Sequence, residues 1–229
     1  MPKTIVIIGA GPGISGAVAE KFGAAGFSVA LVARNKTRLE SGIAQLKQQG
    51  IPAAAFPADA ADPQALRAVM AGARSQLGPI TALHWNAYGG GELTDLLTTD
   101  PAAAKGIFDI AIVGLLGAVQ AALPDLRKTK VGAVLVTNGA YGEMSPEIDH
   151  YVVAHKTAGI ALANAAKAKL VGLLVQQLRA EGIYVGEVTI AGNVQGTVYD
   201  KGDAIPASKI ADKFWELYQA RDQVRARVT

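Results

Sequence analysis

The sequence predicts an α/β fold in which a parallel sheet is covered by helices on both faces. Short apolar runs rich in β-branched residues, such as 4–10 (TIVIIGA) and 28–34 (SVALVAR), alternate with longer alanine-rich stretches of helical character. Strands that read as unbroken apolar runs are buried on both faces, which is typical of a parallel sheet between two helical layers. The alternation therefore predicts a doubly wound sheet.

The pattern assigns a residue range to each predicted strand and helix. The predicted strands are 4–10, 28–34, 53–59, 80–87, 132–138 and 183–190. The predicted helices are 13–26, 36–49, 63–77 and 101–123, one long helical region between the last two strands, and a packing helix at 210–219.

The composition bounds the class of protein. A chain of 229 residues, 50% of them hydrophobic, is long enough for one large domain and short for two, so residues 1–229 are predicted to form a single domain. The net charge of +3 is small and the basic residues are scattered, which argues against a nucleic acid partner. With no cysteine, no cleavable leader and no run of ~18 uninterrupted apolar residues, we expect a cytoplasmic protein without membrane contact.

A glycine-rich segment, 9–16 (GAGPGISG), lies between the first strand and the first helix. Residues without a Cβ, here Gly9, Gly11 and Gly13, let the backbone approach a pyrophosphate closely. The helix that opens at Ile14 would then point its free N–H groups at that anion. The placement directly after a strand predicts a dinucleotide-binding domain.

From this segment onward the chain resembles the short-chain dehydrogenase/reductase family. Later pieces follow in the family's order: FPADAAD after the third strand, WNAYGG after the fourth, and a late loop AGNVQGT. The resemblance implies a Rossmann-type sheet with strand order 3-2-1-4-5-6, with or without a short seventh strand, and a homodimer or homotetramer. The cofactor-binding residues that follow are Gly9, Gly11, Gly13, Ile14, Arg34, Asn35, Asp59, Ala60, Asn86, Ala87, Lys167 and Val194.

The end of the second strand predicts which cofactor is bound. An enzyme that uses NAD carries an acidic residue there to hold the ribose 2′-hydroxyl. This chain has Ala33 and then Arg34, so no carboxylate repels a 2′-phosphate and a guanidinium is present to bind one. We therefore predict NADP(H).

The segment 150–156 (HYVVAHK) carries a candidate catalytic pair, Tyr151 and Lys156. In the family a lysine ammonium favours the phenolate of a catalytic tyrosine four residues before it. Free tyrosine, with a pKa of about 10, is otherwise poorly matched to neutral pH. Here the spacing is five residues, and five residues turn about 500° along a helix, so the two side chains would not face each other.

Three interpretations stay open. A π-bulge or a non-helical start could bring Tyr151 and Lys156 together. Alternatively, Lys156 holds the lysine position and Val152 replaces the tyrosine. In the third, Lys167 is the lysine of a later helix, and the stretch before it forms a loop or extra turn from which Tyr151 still reaches inward. The distance from Lys167 to the next strand, about 24 Å of helix, favours the third.

The other family positions are also altered. Asn138 stands where the resemblance implies a serine that polarises the substrate carbonyl, and its amide could donate a hydrogen bond instead. Loops at 88–98 and 191–206 follow strand ends and are expected to hold a small-molecule substrate.

Two functions follow: an NADP(H)-dependent oxidoreductase acting on a small carbonyl-like compound, or a catalytically silent NADP(H)-binding sensor or assembly protein.

Overall fold

A computed structural model describes residues 2–89, 92–197, 200 and 202–229. Seven parallel strands form one sheet in the order β3-β2-β1-β4-β5-β6-β7, which confirms the predicted order and adds the short seventh strand. The strands are β1 (Lys3–Ile8), β2 (Phe27–Ala33), β3 (Ala53–Pro57), β4 (Ile80–Trp85), β5 (Ala133–Gly139), β6 (Tyr184–Ile190) and β7 (Arg225–Val228).

Helices connect the strands and cover both faces of the sheet, as a Rossmann-type fold requires. The α-helices are α1 (Ile14–Ala24), α2 (Lys36–Gln48), α3 (Pro63–Leu77), α4 (Ala103–Phe108), α5 (Leu115–Leu126), α6 (Pro146–Ala154), α7 (Ala158–Leu178) and α8 (Ala207–Ala220). A π-helical segment, Asp109–Gly114, joins α4 to α5, and short 3₁₀ turns span Ala140–Gly142 and Arg179–Glu181.

The sheet separates two hydrophobic layers because successive side chains of a strand point to opposite faces. In β1, Ile5 and Ile7 pack with α1, α2 and α8, whereas Val6 and Ile8 pack with α3, α5 and α7. All four side chains are fully buried. Burial on both faces accounts for the unbroken apolar character of the strands.

The long helical region expected between β5 and β6 is divided into two helices. α6 ends at Ala154, Lys156 adopts a left-handed backbone with φ 53°, and α7 starts afresh at Ala158. The Nδ1 atom of His155 lies 2.8 Å from the carbonyl oxygen of Tyr151 and so satisfies one carbonyl at the end of α6. The segment expected to be a loop or extra turn is thus a separate helix, and the break follows it.

Two helical segments are long and apolar enough to cross a membrane by length and composition, Ala103–Leu126 and Ala158–Glu181. Within the most apolar stretch of 18 residues in each segment, 44% of the residues in the first and 39% in the second are buried inside the fold. Leu115 of the first and Val171 of the second lie in the hydrophobic layer against the sheet. Core helices pass the same test of composition, and the packing identifies both segments as core helices.

Candidate functional site

The chain that leaves β1 and the chain that leaves β4 nearly touch at the carboxyl edge of the sheet. A Cβ on Gly9 would lie 2.6 Å from Cα of Ala87, and Gly9 also has a positive φ of 87°. Real Cβ atoms do not approach that closely, so only glycine fits at position 9. Asn86 continues the contact, because its backbone N–H donates to the carbonyl of Ile8 over 2.8 Å.

Two hydrogen bonds made by Asn86 and Ser15 hold the glycine loop in place. Nδ2 of Asn86 donates to Oγ of Ser15 over 2.7 Å, and that hydroxyl donates to the carbonyl of Gly9 over 2.8 Å. Ser15 is buried, so both bonds are shielded from water. The predicted cofactor residue Asn86 therefore shapes the loop through Ser15.

The first turn of α1 has no side-chain cap. Its N-cap residue is Gly13, with φ 83°, and α1 begins at Ile14 as the glycine pattern predicts. The first amides of a helix have no partner within the helix, and here no side chain supplies one. Gly11 is open on its Cβ side, so a ligand can approach this turn closely. An uncapped helix N-terminus of this kind fits an anion such as a pyrophosphate.

Arg34 and Asn35 follow β2 at the same edge of the sheet. Oδ1 of Asn35 accepts from the amide of Arg38 over 2.9 Å and caps α2, so Asn35 has a structural role. The Arg34 side chain is exposed and makes no hydrogen bond or ion pair with another described residue. Its guanidinium is available to a ligand.

Three further predicted cofactor residues lie on neighbouring loops. Oδ1 of Asp59 accepts from the amide of Ala61 over 2.9 Å, which holds the turn after β3. The carbonyl of Ala60 lies against the backbone of Gly114, where there is no room for a side chain. Val194 packs over the glycine loop, since a Cβ on Gly13 would lie 3.8 Å from its Cγ1.

The candidate catalytic residues Tyr151 and Lys156 do not share a helix. Tyr151 lies on α6 with 42% of its surface exposed, stacks on His155 at 3.8 Å between ring centroids, and lies 5.5 Å from the ring of Tyr141. Lys156 is exposed in the break after α6. Neither the π-bulge nor the non-helical start considered above brings the pair onto one helical face.

Lys167 lies in the middle of α7 and is 3% exposed. Its Nζ donates to the carbonyl of Thr137 on β5 over 3.1 Å. Burial lowers the pKa of Lys167 to about 8, while the nearby carboxylate of Glu187 acts in the opposite direction. No hydrogen bond or ion pair joins Lys167 to Tyr151 or to Lys156 in the described part of the chain.

Asn138 is buried and faces α7. Its Nδ2 donates to the carbonyl of Asn164 over 3.0 Å and to Oε1 of Glu187 over 2.9 Å, and its Oδ1 accepts from the amide of Gly139. An amide nitrogen carries two hydrogens, so both are used. Donation to a substrate carbonyl would require one of these bonds to break.

Two residues that the sequence analysis did not single out complete this region. Asn164, one turn before Lys167 on α7, lies against the end of β5, because a Cβ on Gly139 would lie 2.6 Å from its Nδ2. Glu187 is buried on β6 beside Asn138. A glutamate inside the apolar run 183–190 was a signal that could have pointed here, since charged residues are seldom buried without a partner.

The glycine loop, the uncapped helix and the free Arg34 define a dinucleotide-binding protein of the Rossmann type, and these residues fit a nicotinamide dinucleotide. A family model described as short chain dehydrogenase matches residues 3–194. The chain therefore belongs to the short-chain dehydrogenase family, whose members are oxidoreductases that use nicotinamide cofactors and act on small molecules.

Individual relatives agree with this assignment. The chain is 26% identical over 196 residues to 3-oxoacyl-(acyl-carrier-protein) reductase FabG of Staphylococcus aureus, covering 83% of this chain and 78% of that protein. It is 38% identical over 81 residues to 2,3-dihydro-2,3-dihydroxybenzoate dehydrogenase of Bacillus subtilis, covering 35% and 31%.

Solved structures share the whole fold. A metagenomic short-chain oxidoreductase in complex with NADP superposes with a TM-score of 0.82 at 23% identity, covering 99% of this chain and 97% of that one. A short-chain dehydrogenase from Rhodopseudomonas palustris superposes with a TM-score of 0.82 at 19% identity, covering 99% and 98%. At these identities the structures show a common fold.

Replacement of Lys167 by methionine tests the burial of its charge. Below about pH 8 the lysine is protonated in both the folded and the unfolded protein, so its effect on stability is constant. Between about 8 and the ordinary value of 10.5 only the unfolded chain keeps the proton, so the free energy of unfolding rises with pH. We expect Lys167→Met to remove this rise, which is at most about 1.4 kcal/mol per pH unit.

The measurement is urea unfolding of both proteins from pH 7 upward. Lys47→Met, at an exposed position near the end of α2, is the matched control and should keep the wild-type pH dependence. An unchanged pH dependence in Lys167→Met would contradict the buried position of the ammonium group.

Proposed function

We propose that the protein is an NADP(H)-dependent oxidoreductase that acts on a small carbonyl-like substrate. The observation that carries the choice of NADP(H) is the exposed Arg34 immediately after β2, whose side chain is paired with none of the described residues. Two similar proteins support the proposal: FabG, which is named as a reductase, and the metagenomic oxidoreductase, which was crystallised with NADP.

The charge at the end of β2 favours a phosphorylated ribose. A guanidinium matches the geometry of a phosphate and is always charged at neutral pH. Residues 33–35 include no carboxylate that would hold a free ribose hydroxyl or repel a phosphate. Lys36 and Arg38, in the first turn of α2, add exposed positive charge nearby.

The remaining cofactor contacts follow from the loops at the same edge. The amides of the first turn of α1 would hold the pyrophosphate, and Asp59 and Ala60 would border the adenine. Ala87 and Val194 would flank the nicotinamide half, because both lie against the glycine loop. When bound, the cofactor supplies or accepts a hydride at its nicotinamide ring.

The single domain of residues 1–229 would hold its substrate between the loops 88–98 and 191–206, both of which lie partly outside the described residues. Tyr151 would deliver the proton, because its exposed ring belongs to an aromatic cluster of Tyr141, Tyr151 and His155 beyond the end of β5. His155 donates from Nδ1 to a backbone carbonyl in its neutral form, which leaves Nε2 to accept a proton. Lys167 and Asn138 would contribute to catalysis from positions beneath this aromatic cluster.

The second candidate function is a catalytically silent NADP(H)-binding protein. Asn138 has no free amide hydrogen for a substrate, and Lys167 is bonded to the carbonyl of Thr137 and forms no hydrogen bond with Tyr151 in the part of the chain that the structure describes. A fold that binds the cofactor through the glycine loop keeps that ability when these groups are otherwise engaged. Turnover measurements separate the two functions.

The protein is also proposed to be a cytoplasmic homo-oligomer, a homodimer or homotetramer. Exposed apolar side chains lie on the two long helical segments, with Phe108 and Val113 on the first and Leu162 on the second. The two segments contact each other, and we propose that these exposed side chains contribute to one apolar face. A second copy of the chain would bury this face.

Arg34→Ala is expected to weaken NADPH binding by about ten- to a hundredfold, because it removes one or two hydrogen bonds to a charged group. NADH binding should change little, since NADH lacks the 2′-phosphate. Titration of cofactor fluorescence measures both affinities. Lys47→Ala removes the same charge at the other end of α2 and should leave both unchanged. Equal NADPH affinity in wild type and Arg34→Ala would contradict the assignment of the cofactor.

Tyr151→Phe is expected to lower kcat by about a hundredfold or more with little change in KM, because it removes only the proton-transferring hydroxyl. Oxidation of NADPH is followed at 340 nm with a panel of aldehydes, ketones, quinones and enones. Tyr184→Phe is the control, since that hydroxyl bonds the carbonyl of Gln223. Tight NADPH binding with no turnover of any compound would support the silent function instead.

Leu162→Arg is expected to dissociate the oligomer, because a charge in the apolar face is costly to bury. Light scattering coupled to size exclusion should give a multiple of 23.6 kDa for the wild type and a smaller multiple for the variant. Leu97→Arg, at an exposed loop position, is the control. A wild-type protein that elutes as a monomer would exclude the homo-oligomer.

A further inference from the structure

Five of the ten large apolar side chains that the described residues expose lie on two segments at the carboxyl edge of the sheet. Tyr88, Leu96 and Leu97 lie on the segment after β4, and Tyr151 and Val153 lie on α6, after β5. Exposed apolar surface that gathers in one place marks a site of interaction, whereas single exposed side chains are ordinary. Because open α/β sheets bind ligands at this edge, the apolar surface lies on the ligand side of the sheet.

The two segments are neighbours in space. The amide of Gly159, in the first turn of α7, donates to the carbonyl of Leu93 over 2.8 Å. This bond holds the segment after β4 beside the break that separates α6 from α7. On α6, before the break, the ring of Tyr151 lies 5.5 Å from the ring of Tyr141, at the end of β5. Apolar side chains therefore border this end of the sheet from two sides.

The same two segments form an acidic rim. Residues 92–100 and 143–156 together carry six aspartates or glutamates and a single lysine, Lys156. By contrast, the whole chain has 19 acidic and 22 basic residues. Glu143 is paired with Arg227, which leaves five carboxylates against one ammonium group. With histidine neutral, the rim therefore carries a net negative charge.

Neighbouring groups leave the charge of the rim in place. In the sequence, the late loop 191–206 adds two acidic residues and one lysine to this end. Beneath the rim, Arg225 and Lys167 exceed the buried Glu187 by one positive charge. These two contributions cancel, so the surplus of carboxylates on the rim remains.

The charge changes sign along the edge of the sheet. At the other end, after β2, residues 33–38 include Arg34, Lys36 and Arg38 and no acidic residue. A surface potential of one sign concentrates ions of the opposite sign and repels ions of its own sign. The basic end favours a phosphate, whereas the acidic rim disfavours a substrate that carries a negative charge.

Aromatic rings at the acidic rim can also hold a cation. Tyr151 keeps 42% of its surface exposed although its ring stacks on His155, and Tyr88 is 63% exposed. The face of an aromatic ring attracts a cation, and aromatic faces are a means by which proteins recognise substituted ammonium groups. The carboxylates of the rim add to this attraction.

We propose that the substrate is an apolar carbonyl compound that bears a positive charge or none, and that negatively charged compounds are disfavoured. The exposed apolar side chains would hold the body of the compound, and the acidic rim with the ring of Tyr151 would accommodate a cationic substituent. This inference rests on the proposed function, since it assigns the chemistry of the compound that the oxidoreductase would reduce.

Three para-substituted benzaldehydes of similar shape test the proposal, with tert-butyl, trimethylammonium or sulfonate as the substituent. Calorimetric titration into the protein saturated with NADP⁺ measures their affinities without reduction of the aldehyde, and the titration is run without cofactor if NADP⁺ does not bind. At an ionic strength of about 0.01 M, we expect the first two compounds to bind at least about tenfold more tightly than the sulfonate. At about 1 M the two charged compounds should differ by about threefold or less, because charges are then screened beyond about 3 Å.

Two results of these titrations would overturn the proposal. One is a sulfonate that binds as tightly as the trimethylammonium compound at low ionic strength. The other is the absence of saturable binding of all three compounds up to about 10 mM. Glyceraldehyde, a polar aldehyde, tests the apolar surface and should bind at least about tenfold more weakly than the tert-butyl compound. Equal affinity for these two aldehydes would also count against the proposal.

Charge reversal locates the effect on the acidic rim. Glu92→Lys combined with Asp149→Lys should tighten binding of the sulfonate and weaken binding of the trimethylammonium compound, each by about tenfold at low ionic strength. Opposite changes for two compounds of similar shape cannot result from partial unfolding. Glu20→Lys combined with Asp222→Lys makes the same change of charge at exposed positions away from this edge and should alter neither affinity. Unchanged affinities in the rim variant would overturn the role of the rim.

Turnover separates this inference from the proposed function. The loss of NADPH absorbance is followed with each aldehyde, and rates of reduction that follow the order of affinity support both. Selective binding without reduction overturns the oxidoreductase and keeps the assigned class of ligand. Faster reduction of the sulfonate than of the other two compounds keeps the oxidoreductase and overturns the assigned class of substrate.

Discussion

The close approach of two backbones, after β1 and after β4, is the constraint on which the site depends. Gly9 lies against Asn86 and Ala87 with no space for a side chain, and the Asn86–Ser15 bonds lock the turn that follows. Because β1 and β4 are neighbours in the sheet, this contact fixes where α1 begins. The uncapped first turn of α1 is thus positioned by packing that involves no ligand, so its geometry is already organised.

A second organising element is the set of polar side chains buried on the α7 face of β5 and β6. Lys167, Asn138 and Glu187 lie within an otherwise apolar layer and satisfy one another or the backbone. On the opposite face His84 bonds the hydroxyl of Thr137 at 3.0 Å, and burial lowers the pKa of His84 to about 3, so its ring is neutral. Such networks are costly unless complete, and here Asn138, Glu187 and Lys167 each have a hydrogen-bond partner.

Unbroken apolar runs and the glycines at the end of β1 predicted the parallel sheet and the glycine loop, because both depend on local patterns. The order of the strands came from the resemblance to the family. The third interpretation separated a later helix from the stretch around Tyr151, but it did not predict that this stretch is itself a helix. That helix ends where a non-glycine residue, Lys156, takes the left-handed conformation, which sequence patterns do not indicate. The partners of Asn138 and Lys167 were also inaccessible, because they lie on strands distant in sequence.

The break at Lys156 has a consequence for how this protein can change over evolutionary time. α6 is a short helix with one buried residue, Val152. Substitutions on its exposed positions therefore have little effect on folding stability, whereas substitutions in α7 disturb a layer packed against the sheet. The exposed face of α6 can therefore diversify while the dinucleotide-binding half stays constant, without first gaining stability elsewhere.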